Sequence, residues 1–300
     1  PVIGPSPLSA TVATARRMDN PGPRPIVRAM DTDILIVGGG LNGPALALAL
    51  AQGGHRVTLI DALPRPVRTG DEFDGRAYAL ALASVRMLRA LGLWGRLGAD
   101  AQPMLGIVVS DGRAGEGAGP WTLRFDHAEI EEGPMGHLVE DRHLRAVLLD
   151  AMDADDRITH LADETVTAQD VLPGGVAVTL ASGATISARL LIGADGRGSG
   201  TAARAGIGRQ GWGYGQTAVV CAVAHERPHD GVAHQFFMPG GPLAILPLTG
   251  DRSATIRAAL CPIRRGSRRS GRCCGGASIM SAAAGWRRTR SRRWMWRCGT

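Results

Sequence analysis

Apolar positions along the chain change rhythm from one stretch to the next. Residues 34–37 and 57–60 are short apolar runs with β-branched side chains, the pattern of strands buried on both faces. Between them an Ala/Leu-rich stretch reads as a helix. Residues 81–97 predict an amphipathic helix with Val85, Leu88, Leu91 and Leu93 on its apolar side. Residues 137–152 return to helical spacing, with Leu144, Val147 and Leu148 turned inward. Residues 106–110 and 121–125 alternate like half-buried strands around a Gly-rich connection. Residues 166–172 and 175–180 form a strand pair through Pro173-Gly174. Residues 189–193 are a further short apolar run, and three strand-like pieces follow at 217–225, 234–238 and 243–248. No internal repeat is apparent. Mixed strands and helices predict the α/β class.

The first strand runs into Gly38-Gly39-Gly40-Leu41-Asn42-Gly43, and the second ends on Asp61. Strand, Gly-x-Gly-x-x-Gly, helix, strand and acid, in that order, is the dinucleotide-binding fingerprint in its required context. Gly38 permits the tight turn, Gly40 lets backbone approach a pyrophosphate, and Gly43 lets helix and strand pack closely. The helix N-terminus offers unpaired N–H groups to phosphate. Asp61 suits the ribose hydroxyls of an adenosine and repels a 2′-phosphate. An NAD-dependent dehydrogenase shares this fingerprint, but no His/Lys or Tyr/Lys catalytic pattern accompanies it here.

Charge changes the picture only at the ends. The formal net charge is +7, with no lysine in the chain. Residues 261–300 hold eleven arginines, no Asp or Glu, four of the five cysteines and three of the six tryptophans. The remainder carries 23 basic against 27 acidic residues, a net of −4. The body is therefore mildly acidic. Such a tail could be a basic arm for nucleic acid. Its lack of periodicity and abrupt composition instead match out-of-frame translation of GC-rich sequence, so no nucleic-acid partner is expected. Residues 1–29 read as an extension outside the fold. No apolar run is long enough to span a bilayer, and the cysteines have no metal-ligand spacing.

Two further features carry chemistry. The Leu-Leu-Ile-Gly-Ala-Asp-Gly stretch ends a strand on Asp195 and Gly196, where ligands of open α/β sheets collect; alone, it also suits a plain turn capped by Ser199. Arg76 and Arg142 are candidate phosphate or flavin contacts, although each taken alone better suits the surface. His225, His229 and His234 fall on the later strands without metal-site spacing. No nucleophile–base constellation is present, so no catalytic residue is nominated.

Taken in order, these pieces resemble the FAD-dependent aromatic-ring hydroxylases of ubiquinone biosynthesis, flavoprotein monooxygenases with the p-hydroxybenzoate hydroxylase fold. The matching stretches are GGGLNG at 38–43, Asp61, DGRAYAL at 74–80 and HLVEDRHLRAVL at 137–148. They continue with LLIGADGRGS at 190–199, YGQTAVVCAVAHERPHDGVAHQFF at 214–237 and GPLAILPLTGDRS at 241–253. The resemblance implies a Rossmann-like FAD-binding domain with a mixed-sheet substrate domain, incomplete at the C-terminus, because the family's second flavin motif has no counterpart beyond residue 260. It implies that Gly38, Gly40 and Gly43 hold the FAD pyrophosphate and Asp61 the ribose. Arg76, Arg142, Asp195 and Gly196 would contact the cofactor. It also implies NAD(P)H as reductant and hydroxylation of a polyprenyl phenol, a small aromatic quinone precursor. A cytoplasmic enzyme, peripheral at the inner membrane or held in a biosynthetic complex, is the corresponding expectation. A non-catalytic nucleotide-binding fragment is the competing one. The expected organisation is an extension at 1–29, a FAD-binding domain at 30–210 with inserted strands, part of the substrate sheet at 211–257, and the tail at 258–300.

Overall fold

The computed structural model describes residues 30–68, 73–113, 117–212 and 216–259. The predicted extension and nearly all of the arginine-rich tail lie outside these residues. Along the chain come β1 (Thr32–Val37), α1 (Asn42–Gln52), β2 (Val57–Asp61), α2 (Arg65–Arg68), β3 (Ala77–Ala81), α3 (Leu82–Ala90) and α4 (Trp94–Leu97). There follow β4 (Ala101–Met104), β5 (Gly106–Arg113), β6 (Gly117–Asp126), β7 (Gly136–Glu140), α5 (Asp141–Asp153) and β8 (Ile158–Ala162). The last are β9 (Val166–Leu172), β10 (Gly175–Leu180), β11 (Thr185–Gly193), α6 (Gly200–Arg204), β12 (Thr217–Ala224), β13 (Val232–Met238), β14 (Gly241–Leu248) and β15 (Arg252–Ala259).

The first sheet has the order β8-β2-β1-β11-β10-β9. Its four strands β8, β2, β1 and β11 are parallel, and β10 and β9 extend it antiparallel. Leu35, Ile36, Leu59 and Ile60 are fully buried, because both sheet faces are covered. On one face α1, α3, α4 and α5 pack Leu48, Leu88, Leu97, Leu148 and Met152 against Ile36 and Leu59. On the other, Leu35 and Ile60 meet Val166, Val178 and Leu180 of the antiparallel extension. Each such Leu or Ile contributes about 1.5–3 kcal/mol by leaving water.

The second sheet, β12-β15-β14-β13-β5-β6, is antiparallel except for the parallel β13–β5 pair. Strands β5 and β6 thus leave the first part of the chain to join those following residue 216. The third sheet, β3-β7-β4, packs Val139 and Ala101 into the core of the first sheet and Leu138 against the second. Leu138 of β7 packs with Leu248 and Ala254 of the second sheet, ringed by Phe73, Ala77, Met104 and Leu246.

Two expected helices are corrected. Residues 137–140 are strand rather than helix: Val139 pairs with Tyr78 on one side and Ala101 on the other. A four-residue apolar-polar run fits either period, and the sheet partners decide. The helix expected over 81–97 breaks at Gly92, whose φ of +73° lies where helices terminate. Its two pieces are α3 and α4. Strands β3, β4, β8 and β15 carry no strong sequence signal of their own and owe their state to neighbours.

Candidate functional site

The glycine turn and the Ala194-Asp195-Gly196 loop meet at the carboxyl edge of the parallel strands. β1 and β11 are neighbours in register Val37↔Gly193, so both motifs leave the sheet side by side. The Ala194 amide donates to the Val37 carbonyl at 2.7 Å. Gly38 has φ +117°, and a Cβ built on it would stand 2.4 Å from the Ala194 oxygen. Nothing bulkier than hydrogen fits there.

Each glycine of the turn has a different neighbour. A Cβ on Gly39 would meet Asp61 Oδ2 at 2.1 Å, and one on Gly43 would meet the Gly38 carbonyl at 1.9 Å. At Gly40 nothing lies within 4 Å, so this backbone faces open space. Helix α1 begins beside it with no side-chain cap and no acidic residue in its first turn. Its first N–H groups lack intrahelical partners and face an open approach, the combination that suits a pyrophosphate. These residues fit a dinucleotide cofactor.

Asp61 closes β2 with 2% exposure. Its Oδ1 accepts from the Leu63 amide at 3.3 Å, and its carbonyl accepts from Glu164 N–H at 3.0 Å. Both ends of the acid are thereby held beside the turn.

Asp195 is engaged locally. Its Oδ1 accepts from Ser199 Oγ at 2.5 Å, and its Oδ2 accepts from the amide and hydroxyl of Thr201, each at 3.0 Å. Ser199 caps α6 through the Ala202 amide at 2.9 Å. Burial acts to raise the Asp195 pKa, but the Ser199 and Thr201 hydrogen bonds outweigh it and hold the carboxyl below its ordinary range. Gly196 turns the chain with φ +77°.

Arg76 and Arg142, far apart in sequence, are brought together by the β3–β7 ladder, which pairs Ala77 with Glu140. The Asp141 amide donates to the Arg76 carbonyl at 3.0 Å. Helix α5 ends five residues before β8 begins. That short return directs its amino end, with Glu140, Asp141 and Arg142, toward the carboxyl edge of the sheet. Neither arginine stands alone. Arg76 Nε donates to Asp74 Oδ2 at 2.6 Å, and its Nη2 lies 3.3 Å from Asp141 Oδ2. The bond to Asp74 raises the Arg76 pKa over the opposing effect of burial. Arg142 Nε donates to Glu140 Oε2 at 2.8 Å.

Sequence reading missed the buried acids behind these arginines. Asp141 is 4% exposed and accepts from Tyr78 Oη at 2.9 Å and from Arg145 Nη2 at 2.8 Å. Burial first, then the bond to Asp141, raises the Tyr78 pKa. Gly39, too, was passed over. The signals were present: the middle glycine of a triplet, and a Glu-Asp-Arg run at a helix start.

The three histidines divide. The rings of His225 and His229 lie 5.8 Å apart at the end of the second sheet, while His234 stacks on Phe236 within β13. Burial, then Arg124, lowers the His234 pKa. Among the described residues no group of three or more His, Cys, Asp or Glu could hold a metal ion, and no helix is long and apolar enough to cross a membrane.

The family described as FAD binding domain matches residues 31–271. The ubiquinone hydroxylase UbiL of Rhodospirillum rubrum is 46% identical over 224 residues, covering 75% of this chain and 51% of its own length. The 3-demethoxyubiquinol 3-hydroxylase of Escherichia coli is 35% identical over 227 residues, 75% of this chain and 56% of that protein. The chain thus spans about half the length of the curated relatives it matches. Among solved structures, PqsL of Pseudomonas aeruginosa with 2-aminobenzoylacetate gives a TM-score of 0.65 at 21% identity, over 76% of this chain and 60% of that one. HpxO of Klebsiella pneumoniae with FAD and uric acid gives 0.63 at 22%, over 79% and 58%. At these identities the likeness speaks for the fold. With the glycine turn, the acid and the Asp195 loop gathered at one sheet edge, the chain belongs to the FAD binding domain family.

Proposed function

We propose that this chain forms the FAD-binding part, and much of the substrate sheet, of an NAD(P)H-dependent hydroxylase acting on the aromatic ring of a polyprenyl phenol. The observation that carries the reading is the contact of Gly38 with Ala194, which brings the glycine turn and the Asp195 loop together at one sheet edge. FAD, when bound, supplies the redox and oxygen chemistry. The chain's own residues do the rest. The backbone at Gly40 and the first amides of α1 bind the pyrophosphate, while Gly38 and Gly43 keep turn and helix close. Asp61 accepts the ribose hydroxyls. Arg76 and Arg142, preset by Asp74, Asp141 and Glu140, supply positive charge without a change of rotamer. Asp195 and Gly196 shape the loop that closes the cofactor side.

The second sheet suits an apolar substrate. On the face that also carries Leu246 and Ala254, register places Phe237 opposite Pro242, and Phe237 is 57% exposed. Leu123 and Phe125 extend that face outward, 65% and 50% exposed. A ring held there is kept from water by the same face that accommodates its prenyl chain. Peripheral association with the inner membrane or a biosynthetic complex is part of this proposal.

The test is direct. Purified chain is titrated with FAD and followed by quenching of flavin fluorescence, then assayed for NADH and NADPH oxidation with a prenylated phenol. Binding with the Gly40 dependence described below supports the reading, and a protein that leaves FAD fluorescence unchanged ends it.

A further inference from the structure

Behind the candidate cleft lies a contact that the cofactor reading does not require. Glu140 is 1% exposed, and a buried carboxylate is strongly unfavourable unless paired. Its Oε2 accepts from Arg142 Nε at 2.8 Å, and its Oε1 lies 2.7 Å from Arg252 Nη2, at ion-pair distance without hydrogen-bond alignment. His143 Nε2 is 3.6 Å from Oε2. The two arginines also share one aromatic ring: their guanidinium carbons lie 6.0 and 5.8 Å from the centroid of Phe73.

The partners come from different layers. Arg142 is the second residue of α5, which packs on the first sheet, whereas Arg252 opens β15 of the second sheet, opposite Leu248. Glu140 ends β7 of the third sheet. Leu138, two residues earlier on the same face, packs on Leu248 and Ala254. An apolar contact and a charged one therefore tie the two parts of the molecule at successive inward positions of one strand.

We propose that Arg252 is a positioning residue: carried on the substrate sheet, it holds the Glu140 carboxylate and Phe73, and through them sets the Arg142 guanidinium at the FAD cleft. Arg252 acts through Glu140 and is assigned no contact with cofactor. The effect on FAD rests on the preceding reading of Arg142. The placement of residues 140–142 does not.

Two measurements separate these levels. Hydrogen exchange without FAD compares the wild type with Arg252→Gln and Arg252→Lys. Amides of residues 137–145 should exchange about tenfold faster in Arg252→Gln, a loss between those of an exposed and a fully buried ion pair. Those of β1 should be unchanged, and Arg252→Lys, which keeps the charge, should recover most of the protection. Unchanged exchange at 137–145, or faster exchange throughout β1 as well, overturns the proposal. In the second, FAD is titrated into the wild type, Arg252→Gln, Arg142→Gln and the double variant. Arg252→Gln should weaken binding about tenfold alone and add nothing to Arg142→Gln; additive losses, or none, overturn the link to Arg142. Wild type that binds no FAD, with the exchange change intact, refutes the cofactor reading and leaves the tie standing.

Discussion

Asp61 occupies the space that a side chain on Gly39 would need. Its Oδ2 lies 2.1 Å from where that Cβ would be, and its own Cβ at 2.7 Å. Because Asp61 is 2% exposed, it has little room to withdraw. The acid and the middle glycine are thus one steric unit, in which the glycine is small so that the carboxylate can sit beside the turn. Gly39→Ala is accordingly expected to destabilise the fold by about 1–3 kcal/mol, the usual scale of overpacking. Thermal or urea unfolding followed by far-UV circular dichroism checks this, and an unchanged transition would show that the acid moves freely.

Gly40 should behave in the opposite way. Nothing lies within 4 Å of a Cβ there, so Gly40→Ala is expected to keep stability within about 0.5 kcal/mol of wild type. On the proposed reading its cost falls on the ligand, since the methyl group would stand where a phosphate approaches. FAD affinity should drop by about 1.5–3 kcal/mol, the worth of a charge-assisted hydrogen bond. Paired titration and melting of Gly39→Ala and Gly40→Ala then separate the glycine that shapes the turn from the one that faces the cofactor.

Acid should loosen the Asp195 loop. The folded protein holds this carboxyl below its ordinary value of 3.8. A lowered carboxylate pKa stabilises the native state above the unfolded value, and that stability is lost as pH falls through the folded one. The excess stability of wild type over Asp195→Ala should therefore be full at neutral pH and shrink below about pH 4. Urea midpoints from pH 7 to pH 3 test it. A difference between the two proteins that stays constant across that range would contradict it.

Tyr78 offers a spectroscopic check on the polar cluster behind Arg76. The chain has two tyrosines, Tyr78 and Tyr214. Burial and the bond to Asp141 raise the Tyr78 pKa above 10.0. Its stabilisation is present below the unfolded value and lost as pH rises through the folded one. Alkaline ultraviolet titration should show a late component that Tyr78→Phe abolishes. Asp141→Asn should move it back toward 10.0, since it removes the acceptor charge. A late component indifferent to Asp141→Asn would assign the shift to burial alone.

How legible each part was depends on how local its cause is. The turn from β1 into α1, the acid ending β2 and the β9–β10 hairpin depend on neighbours in sequence, and the pattern read them correctly. Residues 137–140 did not yield to pattern, because a four-residue run with two adjacent apolar positions is too short to fix a period, and only Tyr78 and Ala101 across the ladder select the strand. The break at Gly92 was readable in principle, as a glycine within an apolar repeat. Gly39 escaped because its constraint is a side chain arriving from another strand.

The sequence by itself determined that the chain folds as α/β, where its glycine turn lies and which acid ends β2, because these follow from short-range sterics and hydrophobic period. Tertiary structure alone decided that Gly38 rests on Ala194, that Arg76 pairs with Asp141 across the β3–β7 ladder, and that Glu140 joins Arg142 to Arg252. Those pairings come from sheet order and ladder register, which bring distant residues within a few ångströms, and no local preference along the chain encodes that distance.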